Sequence, residues 1–283
     1  MKAPTPSKLP ATGFQAAAKR LALFTLTIVL FSGLLSVAVK PFVGMPLWNV
    51  FRRCVSVAAA ITLWLTMRRS QRRHPFRVLG LGPWRPGWRT IVRGMLLGLG
   101  AATLLEGLYL ATGLSAIAID PDRARIWRTV LTFLPTAVLV SVLEELVFRG
   151  YVLQQLLAFS QRTAVWASSI VYAAVHLRTT PAWPQSGFEL VGLTVLGWLL
   201  ARSVLHTKQL YLGIGLHAGF AYWARTSKLL VEMTTSPSLV WLVGGTRLIN
   251  GVGAWILVAG IGWGICRFVK PPAHAPSGTG GGS

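Results

Sequence analysis

Long apolar runs separated by short polar or basic connections dominate this chain, and that pattern sets its architecture. At about 20 apolar residues per crossing, eight spans are predicted: 21–39, 48–67, 94–114, 129–158, 163–178, 188–205, 211–226 and 250–266. The fifth and seventh are short. The stretch 229–249, with "PSLVWLVGG" inside it, reads as a re-entrant or interfacial piece. The first run follows Lys19-Arg20, exceeds a signal-peptide core in length and has no small-x-small cleavage site before Lys40, so it is expected to stay as a helix. No internal repeat is evident. The expectation is an all-α polytopic membrane protein of about eight transmembrane helices in one bundle. Residues 1–20 form an N-terminal segment, 21–270 the membrane domain, and 271–283 ("PPAHAPSGTGGGS") a flexible, linker-like tail.

Composition strengthens this picture. Of 283 residues, 53% are hydrophobic and only 12% charged, outside the range of soluble globular chains. The formal charge of +21 raises the question of nucleic acid, but the basic residues cluster at the ends of apolar runs, with no basic stripe or aromatic interleaving; no nucleic-acid partner is expected. The connection Arg68–Arg93 carries eight arginines and no acidic residue, which marks it as cytoplasmic, and eight spans then place both termini on that side. Trp84 and Trp88 in this connection suit a headgroup layer. Cys54 and Cys266 fall in different spans without metal-ligand or disulfide-framework spacing.

With no soluble module, function has to be sought among polar groups inside the bilayer. There an ionisable side chain costs about 2.5–3.5 kcal/mol on insertion scales and needs a partner or a task. Of seven acidic residues, Asp120 and Asp122 occupy a polar connection, Glu189 a span edge and Glu232 the ambiguous stretch. Glu106, Glu144 and Glu145 lie within spans, joined by Arg149, His176 and His217. Glu144 is about 15 residues, or about 22 Å, from either end of the fourth span, which puts it near the midplane. His176, well into the fifth span, reaches a similar level. His217 follows "YLGIG", whose glycines allow either a close helix approach or a break.

Spacing separates the two adjacent glutamates. Glu145 and Arg149 are i, i+4 and read as a supporting ion pair. Glu144 points about 100° away, with no partner in its own helix and a low-dielectric setting in which a carboxylate can serve as a base. A histidine from another helix can share its proton or orient a water. Glu106, in "ATLLEGLYL", has no motif around it and reads as structural or cavity-lining, while His74, His206 and His274 read as solvated.

The run "EELVFR" (Glu144, Glu145, Arg149), then "YAAVH" ending at His176, then "GIGLHAGFAYW" with His217, resembles the CPBP family of intramembrane proteases, which includes the type II CAAX prenyl endopeptidases. The resemblance covers Ser141 to Trp223. It implies an eight-helix fold, a Glu144–His176 pair that activates a water, an oxyanion role for His217, and a supporting role for Glu145 and Arg149. Two positions depart from the family pattern: Tyr172 stands where phenylalanine is usual, and Ala221 where asparagine or aspartate is usual. A lost oxyanion donor can cost about 10²–10³ in rate, so either Tyr222, Tyr172 or a backbone N–H substitutes or the chain is a divergent subtype, and the "HAG"-aromatic run resembles the bacterial members linked to C-terminal sorting tags.

The expected function is therefore an intramembrane endopeptidase acting on a membrane-tethered protein, in the first instance the C-terminal anchoring or sorting segment of a bacterial surface protein. A CAAX-type enzyme for prenylated tails is the alternative. A proton-coupled transporter would show repeats or paired interrupted helices, and a non-catalytic scaffold or immunity partner is favoured only by Ala221. No cofactor is expected to be required; a zinc ion, if one is used, would fall to Glu144, His176 and His217. The expected location is the bacterial inner membrane.

Overall fold

In the computed structural model, the described residues are 11–69, 75–82, 84–176, 185–233, 236, 238–245 and 247–269. The tail, His74 and His274 lie outside them, as does part of the arginine-rich connection.

Each of the eight apolar runs is a helix. In chain order these are α1 (Ala11–Val39), α2 (Leu47–Arg69), α3 (Trp84–Ala111), α4 (Arg123–Glu145), α5 (Gln161–His176), α6 (Gln185–Thr207), α7 (Tyr211–Thr226) and α8 (Val252–Phe268). Five segments are long and apolar enough to cross a membrane by length and composition: Gly13–Phe42, Leu47–Arg68, Arg85–Ala111, Arg123–Leu156 and Gln185–Thr207. The chain is an all-α polytopic membrane bundle. Leucine, isoleucine and tryptophan side chains such as Leu34, Leu104, Leu131, Ile256 and Trp263 face outward, as lipid-facing positions do.

One short element was not foreseen. Ser115–Ile117 (β1) pairs antiparallel with Val231–Met233 (β2), Ala116 opposite Glu232. The ambiguous stretch 229–249 contributes this strand and a single helical turn, Val240–Val243, rather than a span. Two residues anchor the turn: the Tyr109 hydroxyl donates to the Leu242 carbonyl at 3.1 Å, and Arg247 pairs with buried Glu189.

The fourth run is longer than its apolar stretch. Asp122 accepts a hydrogen bond from the Arg125 N–H at 2.9 Å, an N-cap that carries helix through the polar residues Arg123 to Arg128. The rod continues to Leu156. Glu144 is thus about 31 Å from the start of this rod and about 18 Å from its end.

The glycines of α7 serve close approach, and the helix is unbroken across them. A Cβ on Gly94 would meet the Leu212 carbonyl oxygen at 2.7 Å, and one on Gly98 the Leu216 oxygen at 2.7 Å; Gly215 and Gly219 sit equally tightly on Ile91 and Met95. Two G-x-x-x-G surfaces therefore lock α3 and α7 side by side and parallel, the geometry small residues allow where no hydrophobic effect drives helices together. The Leu210 N–H donates to Gly80 at 2.9 Å, and the Tyr211 hydroxyl to Gly82 at 2.6 Å, which fixes where α7 enters the bundle.

Candidate active site

Three helices deliver the site. α4 ends at Glu145, and the chain continues through Leu146–Val152 as a π-helical turn, seen in the Leu153 N–H donating to Phe148 five residues back. Such widened turns recur at functional sites. Here the turn keeps Glu144, Glu145 and Arg149 facing the interior while Leu153 packs fully buried beyond them. α5 brings Tyr172 and His176 on successive turns of one face, and α7 brings His217.

Glu145 and Arg149 form the expected pair, with Arg149 Nη1 donating to Glu145 Oε1 at 2.8 Å. Their side chains are 0% and 1% exposed. Arg149 also donates through Nη2 to the Gly197 carbonyl at 3.3 Å and lies over the Tyr172 ring, 4.5 Å from its centre. A link that spacing did not reveal is His217 Nδ1 to Glu145 Oε1, 3.0 Å. The acceptor is a carboxylate oxygen already bound to Arg149, so Nδ1 carries the hydrogen. His217 is thereby held in one orientation, its Nε2 turned away from Glu145. Gly213, one turn before it, leaves room for Glu145, whose Oε2 would contact any added Cβ at 3.4 Å.

Glu144 has different company. Its Oε2 lies 3.1 Å from His176 Nε2 and 3.6 Å from His217 Nε2. Neither contact has full hydrogen-bond alignment, which is common where a substrate or water completes the geometry. His176 Nδ1 donates to the Tyr172 carbonyl at 2.8 Å, which leaves Nε2 as the nitrogen that shares a proton with Glu144. The Glu144 and His176 side chains are 16% and 30% exposed, whereas His217 is 8% exposed. The site therefore opens on its Glu144–His176 side.

Tyr172 sits between the histidines. It is buried, its hydroxyl 3.4 Å from His217 Nε2 and its ring 4.4 Å from that of His176. Tyr222, the other phenol considered for the gap at Ala221, donates to the Val130 carbonyl at 3.1 Å and is committed to α4. Phe148 closes one wall edge-on to Tyr172.

All five sequence-selected residues, Glu144, Glu145, Arg149, His176 and His217, thus converge. Glu106 does not. It lies eight residues beyond Gly98, whose level is that of Leu216, hence about 12 Å further along α3, buried near Ser115 and Tyr109. Among the described residues, no group of three or more histidine, cysteine, aspartate or glutamate side chains is arranged to hold a metal ion. Each histidine nitrogen nearest Glu144 is engaged instead with that carboxylate or with Tyr172.

Residues 126–223 match the model of the family described as Rce1-like, Type II CAAX prenyl endopeptidase Rce1-like. Over those residues the chain is similar to that family. The match spans about a third of the sequence and contains every residue of the cluster, from near the start of α4 to near the end of α7. The family so described is one of prenyl endopeptidases. No curated protein and no solved structure matches the chain.

Proposed function

We propose that this protein hydrolyses a peptide bond of a membrane-tethered protein, with water activated by Glu144 and His176. The observation that carries the reading is the position of Glu144, its buried Oε2 3.1 Å from His176 Nε2 and 3.6 Å from His217 Nε2 and its side chain 16% exposed on the open side of an otherwise closed cluster. A water bound to the Glu144 carboxylate gives its proton to the Glu144–His176 pair as its oxygen attacks the scissile carbonyl. The same pair returns that proton to the leaving amine, so the pair ends as it began. When both of its nitrogens carry hydrogen, His217 is anchored through Nδ1 on Glu145 and donates from Nε2 to the oxyanion, and the Tyr172 hydroxyl supplies a second donor. Glu145 and Arg149 hold His217 in orientation and touch no substrate.

The reaction runs without a metal in this account. A chelator leaves the rate of the purified protein unchanged; loss of cleavage that added zinc restores would overturn that part.

The substrate is the C-terminal anchoring segment of a bacterial surface protein, processed in the inner membrane by an enzyme whose two termini face the cytoplasm. A lipidated, CAAX-like tail is the second reading, supported by the description of the matching family. The test compares membrane proteins of cells carrying wild type or Glu144→Ala by N- and C-terminal peptide mapping. A set of tethered proteins left unprocessed only in the mutant identifies the substrate class. Identical maps from a folded mutant would sink the protease reading and leave a scaffold.

A further inference from the structure

Outside the cluster, the bundle carries a cleft of about 290 Å³ lined by Gln161, Arg162, Val165, Trp166, Trp198 and Arg202. Its walls are two matching i, i+4 pairs, Arg162 and Trp166 on α5 and Trp198 and Arg202 on α6. These helices run antiparallel, as the packing of Ser169 against Gly197 shows, so the two arginines lie at one level and the two tryptophans one turn, about 5.4 Å, deeper. The arginine level is the one nearer the α6–α7 turn, where Leu210 bonds to Gly80 of the arginine-rich connection.

Two guanidinium groups on one rim need negative charge, and among the described residues no carboxylate is paired with them. Arg125, Arg149 and Arg247 each have a carboxylate partner, but among the described residues neither Arg162 nor Arg202 does. Arg202 makes only a weak contact, Nη2 to Cys266 Sγ at 3.5 Å, and its buried Nε has no partner. Trp198 is held in place by α8, where a side chain at Gly262 would strike its ring. Trp166 is 46% exposed on the outer face of the bundle. A charged rim above an aromatic wall, open to the outside of the bundle, is the profile of a phosphate headgroup with its glycerol at the tryptophans and its acyl chains beyond. The volume lies just below the span of about 300–1,000 Å³ typical of small-molecule sites, enough for the headgroup alone.

We propose that this α5–α6 cleft binds the phosphate of an anionic membrane lipid between Arg162 and Arg202. Because α5 carries Tyr172 and His176 on its later turns, the lipid braces the helix that presents these two residues to the cluster. The proposal stands apart from the protease reading, since its readout is lipid binding.

The experiment is native mass spectrometry of the full chain in nanodiscs of phosphatidylcholine with phosphatidylglycerol. Wild type is expected to retain phosphatidylglycerol in preference to phosphatidylcholine. Arg162→Gln, whose side chain is exposed and has no structural partner to lose, is expected to bind it about tenfold more weakly, about 1.4 kcal/mol, and Arg162→Gln/Arg202→Gln weaker still. Arg89→Gln/Arg93→Gln, which removes as much charge from the same end of the bundle, is expected to bind as wild type. Unchanged retention in Arg162→Gln, or equal loss in the Arg89/Arg93 pair, would overturn the site. Inorganic phosphate that displaces phosphatidylglycerol as well as the lipid competes with itself would overturn the lipid as ligand in favour of a free phosphate.

Discussion

Glu144 and Glu145 are neighbours in sequence, yet the structure puts them in opposite halves of one site. Around Glu145 everything is closed: Arg149, His217 and the Gly197 carbonyl form a chain of contacts between 2.8 and 3.3 Å, with no side chain in it more than 8% exposed. Around Glu144 the contacts are longer and less aligned, and His176 is 30% exposed. The difference teaches how a membrane protein builds a reactive carboxylate. Each charge in the closed half is compensated by another, which fixes geometry, and the open half keeps a carboxylate and an imidazole with spare capacity for a water. His217 belongs to both, its Nδ1 to the closed half and its Nε2 to the open one.

The comparison can be broken most severely at Glu144. Glu144→Gln keeps the side chain's size and removes the base, so cleavage is expected to fall about 10²–10⁴-fold while thermal unfolding of the detergent-solubilised protein stays as in wild type. Arg149→Met should do the reverse in kind, because removing one partner of a buried pair strands the other and costs about 3–5 kcal/mol. A lowered melting midpoint measures it, and a wild-type midpoint would show that Glu145 does not depend on Arg149. Gly215→Ala pushes α7 away from the Ile91 carbonyl and with it His217; overpacking of this kind costs about 1–3 kcal/mol, read by the same melting experiment. Tyr172→Phe is the mildest change. It removes one hydroxyl next to His217 Nε2, and the loss of one neutral hydrogen bond, about 0.5–1.5 kcal/mol, should lower kcat with KM held. A Tyr172→Phe enzyme as fast as wild type would remove the phenol from the oxyanion role.

Much of this was legible before any coordinates. Eight apolar runs became eight helices, and the i, i+4 spacing of Glu145 and Arg149 became a 2.8 Å pair. Local spacing suffices there because a helix fixes which residues share a face. The convergence of His176 and His217 on Glu144 was read from a resemblance and from depth counting, since no local rule brings residues together across three helices. The Glu145–His217 bond escaped the sequence for the same reason, as did the choice of Tyr172 over Tyr222, which turns on which way two phenols point. The start of the fourth helix was placed too late because Asp122 caps a helix that begins in polar residues, where hydropathy has no signal. The pairing of β1 with β2 joins segments more than a hundred residues apart and three residues long, too short for any alternation to show.

The central claim is that the two adjacent glutamates divide chemistry from support, and one paired measurement tests it directly. Glu144→Gln and Glu145→Gln would be compared in the same cells for new N-termini among membrane-tethered proteins and, after purification, for melting midpoint. The account predicts a Glu144→Gln protein that melts as wild type and produces none of the wild-type termini, and a Glu145→Gln protein that melts lower and loses termini in step with its stability. A folded Glu144→Gln protein that yields the wild-type termini would contradict it.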